Sequence, residues 1–130
     1  MAQYTKLVAA YVPDMALSFK VGTVDIVANR LYKQHTDNTL IVAGANEAVP
    51  LFMPLTAEKA GMPVRAVPIG FGAFVVTASG AIAAGAKLST VAAGMVKTAV
   101  ATQPIVGLAY NAAADGELLT ILPPVPAAVA

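Results

Sequence analysis

The chain has 130 residues, of which 58% are hydrophobic and only 12% charged; eight basic and seven acidic side chains leave a net charge of +1. That length allows one domain, and the scarcity of charge excludes a highly charged disordered chain and gives no field to attract a polyanion. With no cysteine and one histidine, a disulfide framework, thiolate metal ligands, a cysteine nucleophile and a multi-histidine metal site within one chain are all excluded.

From the N-terminus, residues 1–14 carry Tyr4, Leu7, Val8, Tyr11 and Val12 with little turn chemistry before Pro13-Asp14. They read as a first strand or as an apolar arm that orders against a partner. The opening Met1–Lys6 lacks a basic segment followed by a compact apolar one, so no secretory signal is expected. Short apolar runs then recur at Leu17–Val21, Val24–Ala28, Thr39–Ala43, Val49–Met53, Val64–Ile69, Ala73–Thr77, Lys87–Val91, Met95–Ala99, Ile105–Tyr110 and Glu117–Leu122. Their lengths predict strands of a sandwich or barrel. Turn residues separate them at Thr36-Asp37-Asn38, Gly44-Ala45-Asn46, Ser79-Gly80, Ala93-Gly94 and Asp115-Gly116. One helical turn is expected at Thr56–Ala60, capped by Thr56 and stopped by Gly61 and Pro63. Nine prolines argue against long helices. The proline-rich end, residues 123–130, reads as a polyproline-like or frayed tail. No internal repeat with a fixed period is evident. The expectation is an all-β chain: one compact sandwich, jelly-roll-like or barrel domain over 15–122, with extended termini.

A mean hydropathy of +0.72 raises the question of a membrane. The longest uncharged run, Ala66–Ala86, is long enough to span one, but Pro68 and four glycines from Gly70 to Gly85 interrupt it. Alanine there replaces the long side chains that drive insertion. No membrane partner is expected.

Motifs that carry chemistry fail on spacing. Gly80-Ala-Ile-Ala-Ala-Gly85-Ala-Lys87-Leu-Ser89 imitates a phosphate loop, but Ala86 and Leu88 break the adjacencies that bring amides and lysine onto one phosphate. It reads as a hairpin in which Gly80 and Gly85 turn, Ile82 packs and Lys87 opens a strand. His35, in Lys33–Asn38, reads as an exposed loop histidine with no converging nucleophile. Asp115 and Glu117 read as solvated turn charges, since a calcium loop needs more oxygen ligands in a set pattern. Basic residues are scattered and tryptophan is absent, so no base-stacking surface for nucleic acid is indicated. Neither an enzyme nor a cofactor or metal site is expected.

The second half has a distinctive cadence: Gly61-Met-Pro-Val-Arg-Ala-Val67, Gly72-Ala-Phe-Val-Val76, Ala81-Ile-Ala-Ala-Gly-Ala-Lys-Leu88, Gly94-Met-Val-Lys97, Ile105-Val-Gly-Leu-Ala109 and Ala112–Leu122. It resembles the small capsid decoration (cement) proteins of tailed bacteriophages. The resemblance implies a structural virion protein on the capsid exterior, assembled in the host cytoplasm. Such a protein holds neighbouring copies of the major capsid protein together and self-associates as a dimer or trimer at a symmetry axis. An apolar, charge-poor chain suits contacts made by burial, strand pairing and multivalency. The expected partner-binding residues are Tyr4, Leu7, Val8, Tyr11 and Val12 of the arm, with Leu51, Phe52 and Met53 between Pro50 and Pro54. A core strand is the competing reading of the second group. A phage tail or tube subunit and a ligand-binding β-barrel are the functional alternatives.

Overall fold

The computed structural model describes residues 16–48, 50–70 and 72–123. Ten strands follow in chain order: β1 Leu17–Val21, β2 Tyr32–Gln34, β3 Thr39–Val42, β4 Leu51–Pro54, β5 Pro63–Pro68, β6 Phe74–Thr77, β7 Lys87–Val91, β8 Met95–Thr98, β9 Gly107–Ala109 and β10 Leu118–Leu122. The first five close into a barrel in the order β1-β3-β2-β4-β5; the others form a five-stranded sheet in the order β6-β10-β9-β7-β8. β1 and β3 run parallel; the other strand pairs are antiparallel. The all-β expectation therefore holds, and its barrel form is realised beside a second sheet. Residues 1–15 and 124–130, which include the expected arm and nearly all of the tail, lie outside the described residues.

Side-chain alternation divides the buried residues into two cores. Every barrel strand sends side chains inward: Phe19 and Val21, Tyr32, Leu40, Phe52, then Val64 and Ala66. Phe19 and Phe52 meet edge to face, 4.9 Å apart at 61°, a favoured aromatic geometry. The second core lies between the barrel wall and the second sheet. There Leu51, Met53 and Val67 from the barrel pack with Phe74, Val76, Leu88, Val96, Leu119 and Ile121.

Backbone bonds rivet the two sheets. The Leu31 amide donates to the Gly94 carbonyl (2.9 Å), the Gly94 amide to Ala43 (2.9 Å), and the Ala43 amide to Leu31 (3.0 Å), a closed ring of three peptides. Gly94 sits at φ 72°, and a Cβ there would come within 2.4 Å of the Leu31 carbonyl oxygen. Only glycine fits. Nearby, buried Thr90 of β7 accepts the Asn46 amide on its carbonyl (3.0 Å) and the Glu47 amide on its hydroxyl (2.9 Å).

The predicted bounds of β1 and β7 are met, and the turns form at the expected places, with Asn38, Asn46, Gly80, Ala93, Gly94 and Gly116 at positive φ. Three expectations are corrected. Val24–Ala28 is not a strand: its amides bond across the chain, Ile26 to the Glu58 carbonyl and Val27 to the Tyr32 hydroxyl. Thr56–Ala60 is not helical either. The Thr56 hydroxyl donates to the Glu58 carboxylate two residues on (2.8 Å), and the Ala60 amide is taken by Asp25 (2.8 Å), so one local and one tertiary partner claim the groups a helical turn would use.

The third correction concerns Gly80–Lys87. It turns and packs as expected, but β6 and β7 are not paired, so it is a crossing link rather than a hairpin. It is also one half of an internal repeat. Ile82 and Ala113 exchange both backbone bonds (2.8 and 2.9 Å). The Gly85 amide donates to Ala109 and the Gly116 amide to Ala78; the Ala109 amide donates to Ala86 and the Ala78 amide to Glu117. Each bond has a counterpart at one constant offset along the chain, which relates residues 78–88 to 109–119 by an approximate two-fold. The matched identities are alanine, glycine and leucine, too common in this composition to stand out.

Candidate interaction surface

The ionisable groups are dispersed. Lys33 donates to the Glu47 carboxylate at 2.7 Å, and the Gly44 amide donates to the same oxygen at 2.9 Å. The Lys33 hydrogen bond first, and then the Gly44 amide, hold the Glu47 carboxyl below its ordinary value. His35 lies 3.2 Å from Asp37, both well exposed, as expected of a loop histidine. Asp37 is lowered chiefly by the hydroxyl of Thr39, which donates to it at 2.6 Å. Asp115 accepts the Gly80 amide at 2.7 Å and Glu117 the Ala114 amide at 2.8 Å, so both brace turns. No group of three or more His, Cys, Asp or Glu side chains is gathered among the described residues. No helix among them is long and apolar enough to cross a membrane.

Of the expected contact residues, Tyr4, Leu7, Val8, Tyr11 and Val12 lie outside the described residues. Leu51, Phe52 and Met53 are core residues, at 3, 6 and 8% exposure. This corrects their reading as a contact surface. β4 is the wall shared by the two cores, so Phe52 faces the barrel interior while Leu51 and Met53 face the second sheet.

Sequence reasoning missed the side chains that are apolar and exposed. On β10, Leu119 and Ile121 point into the core, so Leu118 and Thr120 point out; on β6, Phe74 and Val76 point in and Val75 points out. Tyr110, just past β9, extends the same outer face. It is 67% exposed, Leu118 53% and Val75 42%. Beyond β6 this face runs into a pocket of about 190 Å³ lined by Ile26, Val27, Met53, Pro54, Leu55 and Val75, among other uncharged residues. Alternation could have shown the outer face only once the strand order was known.

Docking by strand addition is blocked at β6. The Asn29 side-chain amide donates to the Val75 carbonyl (3.1 Å), and the Thr77 amide donates to the Asn29 carbonyl (3.0 Å). Further along, the Ser79 amide donates to Val96 of β8 (2.7 Å), and Ala78 and Val96 form a parallel bridge, so the sheet's two outer strands meet. The closed barrel has no free edge. Among the described residues, contact surface is therefore offered by faces.

No protein-family model matches this chain, and no curated protein matches it. Among solved structures, the fold is similar to the crystal structure of the head fiber gp8.5 N base in bacteriophage phi29. The TM-score is 0.65 and the sequence identity 24%, over 82% of this chain and 92% of that one. At that identity the likeness is one of fold.

Proposed function

We propose that this chain is a structural protein of a bacteriophage virion that sits on the outer surface of the capsid and cements neighbouring major capsid subunits, self-associating as it does so. The observation that carries the reading is the fold: nearly the whole of the phi29 head fiber base domain is covered by this one. The cadence of the second half, which resembles phage decoration proteins, points the same way. So does the surface, where apolar faces are exposed and ionisable groups are dispersed or engaged in bracing turns. Binding by burial of such faces needs no cofactor, metal or nucleic acid, and no catalytic role is assigned. Assembly in the host cytoplasm completes the proposal.

A second reading is that the domain is the base of a longer fibre, favoured by the name of the neighbouring structure. Both readings expect attachment to the shell; they differ in whether the shell is strengthened. The test is co-sedimentation of purified protein with capsids that lack it, followed by thermal and osmotic release of the genome. Binding with release shifted to higher temperature supports cementing. Binding with unchanged release supports attachment alone. Failure to bind capsids, with polymerisation into tubes instead, overturns both readings and favours a tail subunit.

A further inference from the structure

We infer that copies of this chain interlock by exchanging β9 and β10 across the turn Val100–Gln103, each copy completing the second sheet of the other. The inference rests on the self-association within the proposed function and gives it a mechanism that needs no separate contact surface.

Within the second sheet, β9 and β10 are held by β6 and β7. Val76 stands opposite Leu119 and Thr77 opposite Leu118. Shifted by the offset that relates the two links, Gly107 stands opposite Leu88 and Leu108 opposite Lys87. The approximate two-fold therefore takes in the strands as well as the links. β6 and β7 clasp β10 and β9 in matching registers, and the paired bonds between Ile82 and Ala113 close the middle. Ile105, Ala109, Ala113, Leu119 and Ile121 are buried in this clasp or beneath it, so β9 and β10 swung away from β6 and β7 would expose an apolar face. A ladder accepts strands of one register and one inward pattern. A second copy of this chain presents those strands, and exchange with it restores the bonds and buried contacts that the opened chain gives up.

Strain at the turn favours the opened form. Val100–Gln103, which leads from β8 towards β9, is closed by the Gln103 amide donating to the Val100 carbonyl (3.1 Å), and the Gln103 side-chain oxygen accepts the Val100 amide (2.9 Å). To make this turn, Thr102 holds φ at 71°. Positive φ at the third position of a turn suits glycine or asparagine, and for a β-branched residue it is an outlier. Elsewhere at positive φ the chain has glycine, asparagine or Ala93; Thr102 is the only β-branched residue there among the described residues. A short connection under strain invites exchange of the segment beyond it. Opened, Thr102 returns to the extended backbone that β-branched residues favour. Each copy sheds that strain, while the strand pairings are conserved.

Val75 and Thr120 provide the direct test. They are opposite each other on the outer face, with the Val75 carbonyl turned to Asn29 and the Thr120 carbonyl to Tyr110. Such a non-hydrogen-bonded pair has Cα atoms about 4.5 Å apart, within disulfide reach, and the chain has no cysteine of its own. The full chain, refolded at high concentration without capsids, is expected to give dimers that gel filtration separates from monomers. In the double variant Val75→Cys with Thr120→Cys, oxidised dimers should stay dimeric on a denaturing gel until reduced, whereas oxidised monomers should carry the bond internally. Thr102→Gly, which relaxes the closed turn, should lower the dimer-to-monomer ratio roughly tenfold or more. Thr102→Pro, whose fixed φ forbids that turn, should raise it by a similar factor. Circular dichroism checks each fold, and Thr102→Gly decides alone if the proline variant does not fold. A chain that stays monomeric, a dimer whose disulfides close within each copy, or a ratio indifferent to Thr102→Gly overturns the exchange. None of these results bears on whether the chain binds capsids.

Discussion

The backbone carbonyl of Asn29 accepts two hydrogen bonds from Thr77, one from its amide at 3.0 Å and one from its hydroxyl at 3.1 Å. Asn29 holds φ at 61° to do this, a conformation asparagine tolerates better than most residues. Its side chain then closes the β6 edge at Val75. Asn29→Ala removes that side-chain bond and puts a methyl group in the left-handed region, at a combined cost of about 2 kcal/mol. The melting temperature should fall by roughly 5–10 °C. Asn29→Gly, which keeps the backbone freedom, should lose about half as much. Equal losses would mean that the dihedral contributes nothing.

Gly107 and Gly116 separate steric from conformational demand. A Cβ on Gly107 would lie 2.4 Å from Ile121 Cγ1 and 2.5 Å from the Leu122 carbonyl oxygen, whereas one on Gly116 meets nothing within 4 Å. Gly107→Ala must force β9 and β10 apart, at a cost of at least ~3 kcal/mol. Gly116→Ala costs only the strain of φ 81°, about 1 kcal/mol. Urea denaturation of both variants gives the ratio.

Acid stability should depend on Glu47. Its folded value is depressed by Lys33 and Gly44, so the charged form is favoured in the folded state. The resulting stability is present above the unfolded carboxyl value and disappears as pH falls through the lower folded value. Glu47→Gln should cost on the order of 1 kcal/mol at neutral pH. Its deficit should shrink below about pH 4, where wild type is protonated as well. Thermal melts of both proteins across that range measure it, and a deficit constant with pH would rule out the ion pair as the source.

Deleting residues 1–14 removes none of the strands among the described residues, the first of which, β1, begins at Leu17. Under the proposed function, the truncated chain should melt within a few degrees of the full one yet bind capsids at least tenfold more weakly. Undiminished binding would relieve Tyr4, Leu7, Val8, Tyr11 and Val12 of a contact role.

Local chemistry was readable where a turn has few solutions. Asn38, Asn46, Gly80 and Gly116 stand where positive φ is needed, and such residues punctuate the chain visibly. Strands with apolar alternation, such as β1 with Leu17, Phe19 and Val21 set between Ser18 and Lys20, were equally plain. Tyr32–Gln34 escaped notice because three residues, two of them polar, make no periodic pattern; only pairing on both sides, with β3 and β4, makes it a strand. Val24–Ala28 has a strand's composition, but its amides bond to the Glu58 carbonyl and the Tyr32 hydroxyl instead of to a neighbouring strand. Leu51-Phe52-Met53 is an unalternating apolar run, equally suited to a partner or to a strand buried on both faces. Barrel closure decides between these, and closure is set by pairings far apart in the chain. The outer face bearing Tyr110 was hidden for the same reason, since it requires knowing that β10 lies between β6 and β9.

The ring joining Leu31, Ala43 and Gly94 has a mechanical consequence. β1 lies in the barrel and β10 in the second sheet, so tension applied between the two ends of the domain must cross the seam between the sheets. That seam is closed by the peptide ring, by Thr90 holding Asn46 and Glu47, and by Thr77 holding Asn29. Bonds anchored at separate points along a seam share a pull instead of failing one after another. The domain should therefore transmit load as a single stiff body, yielding at its terminal strands before its halves separate.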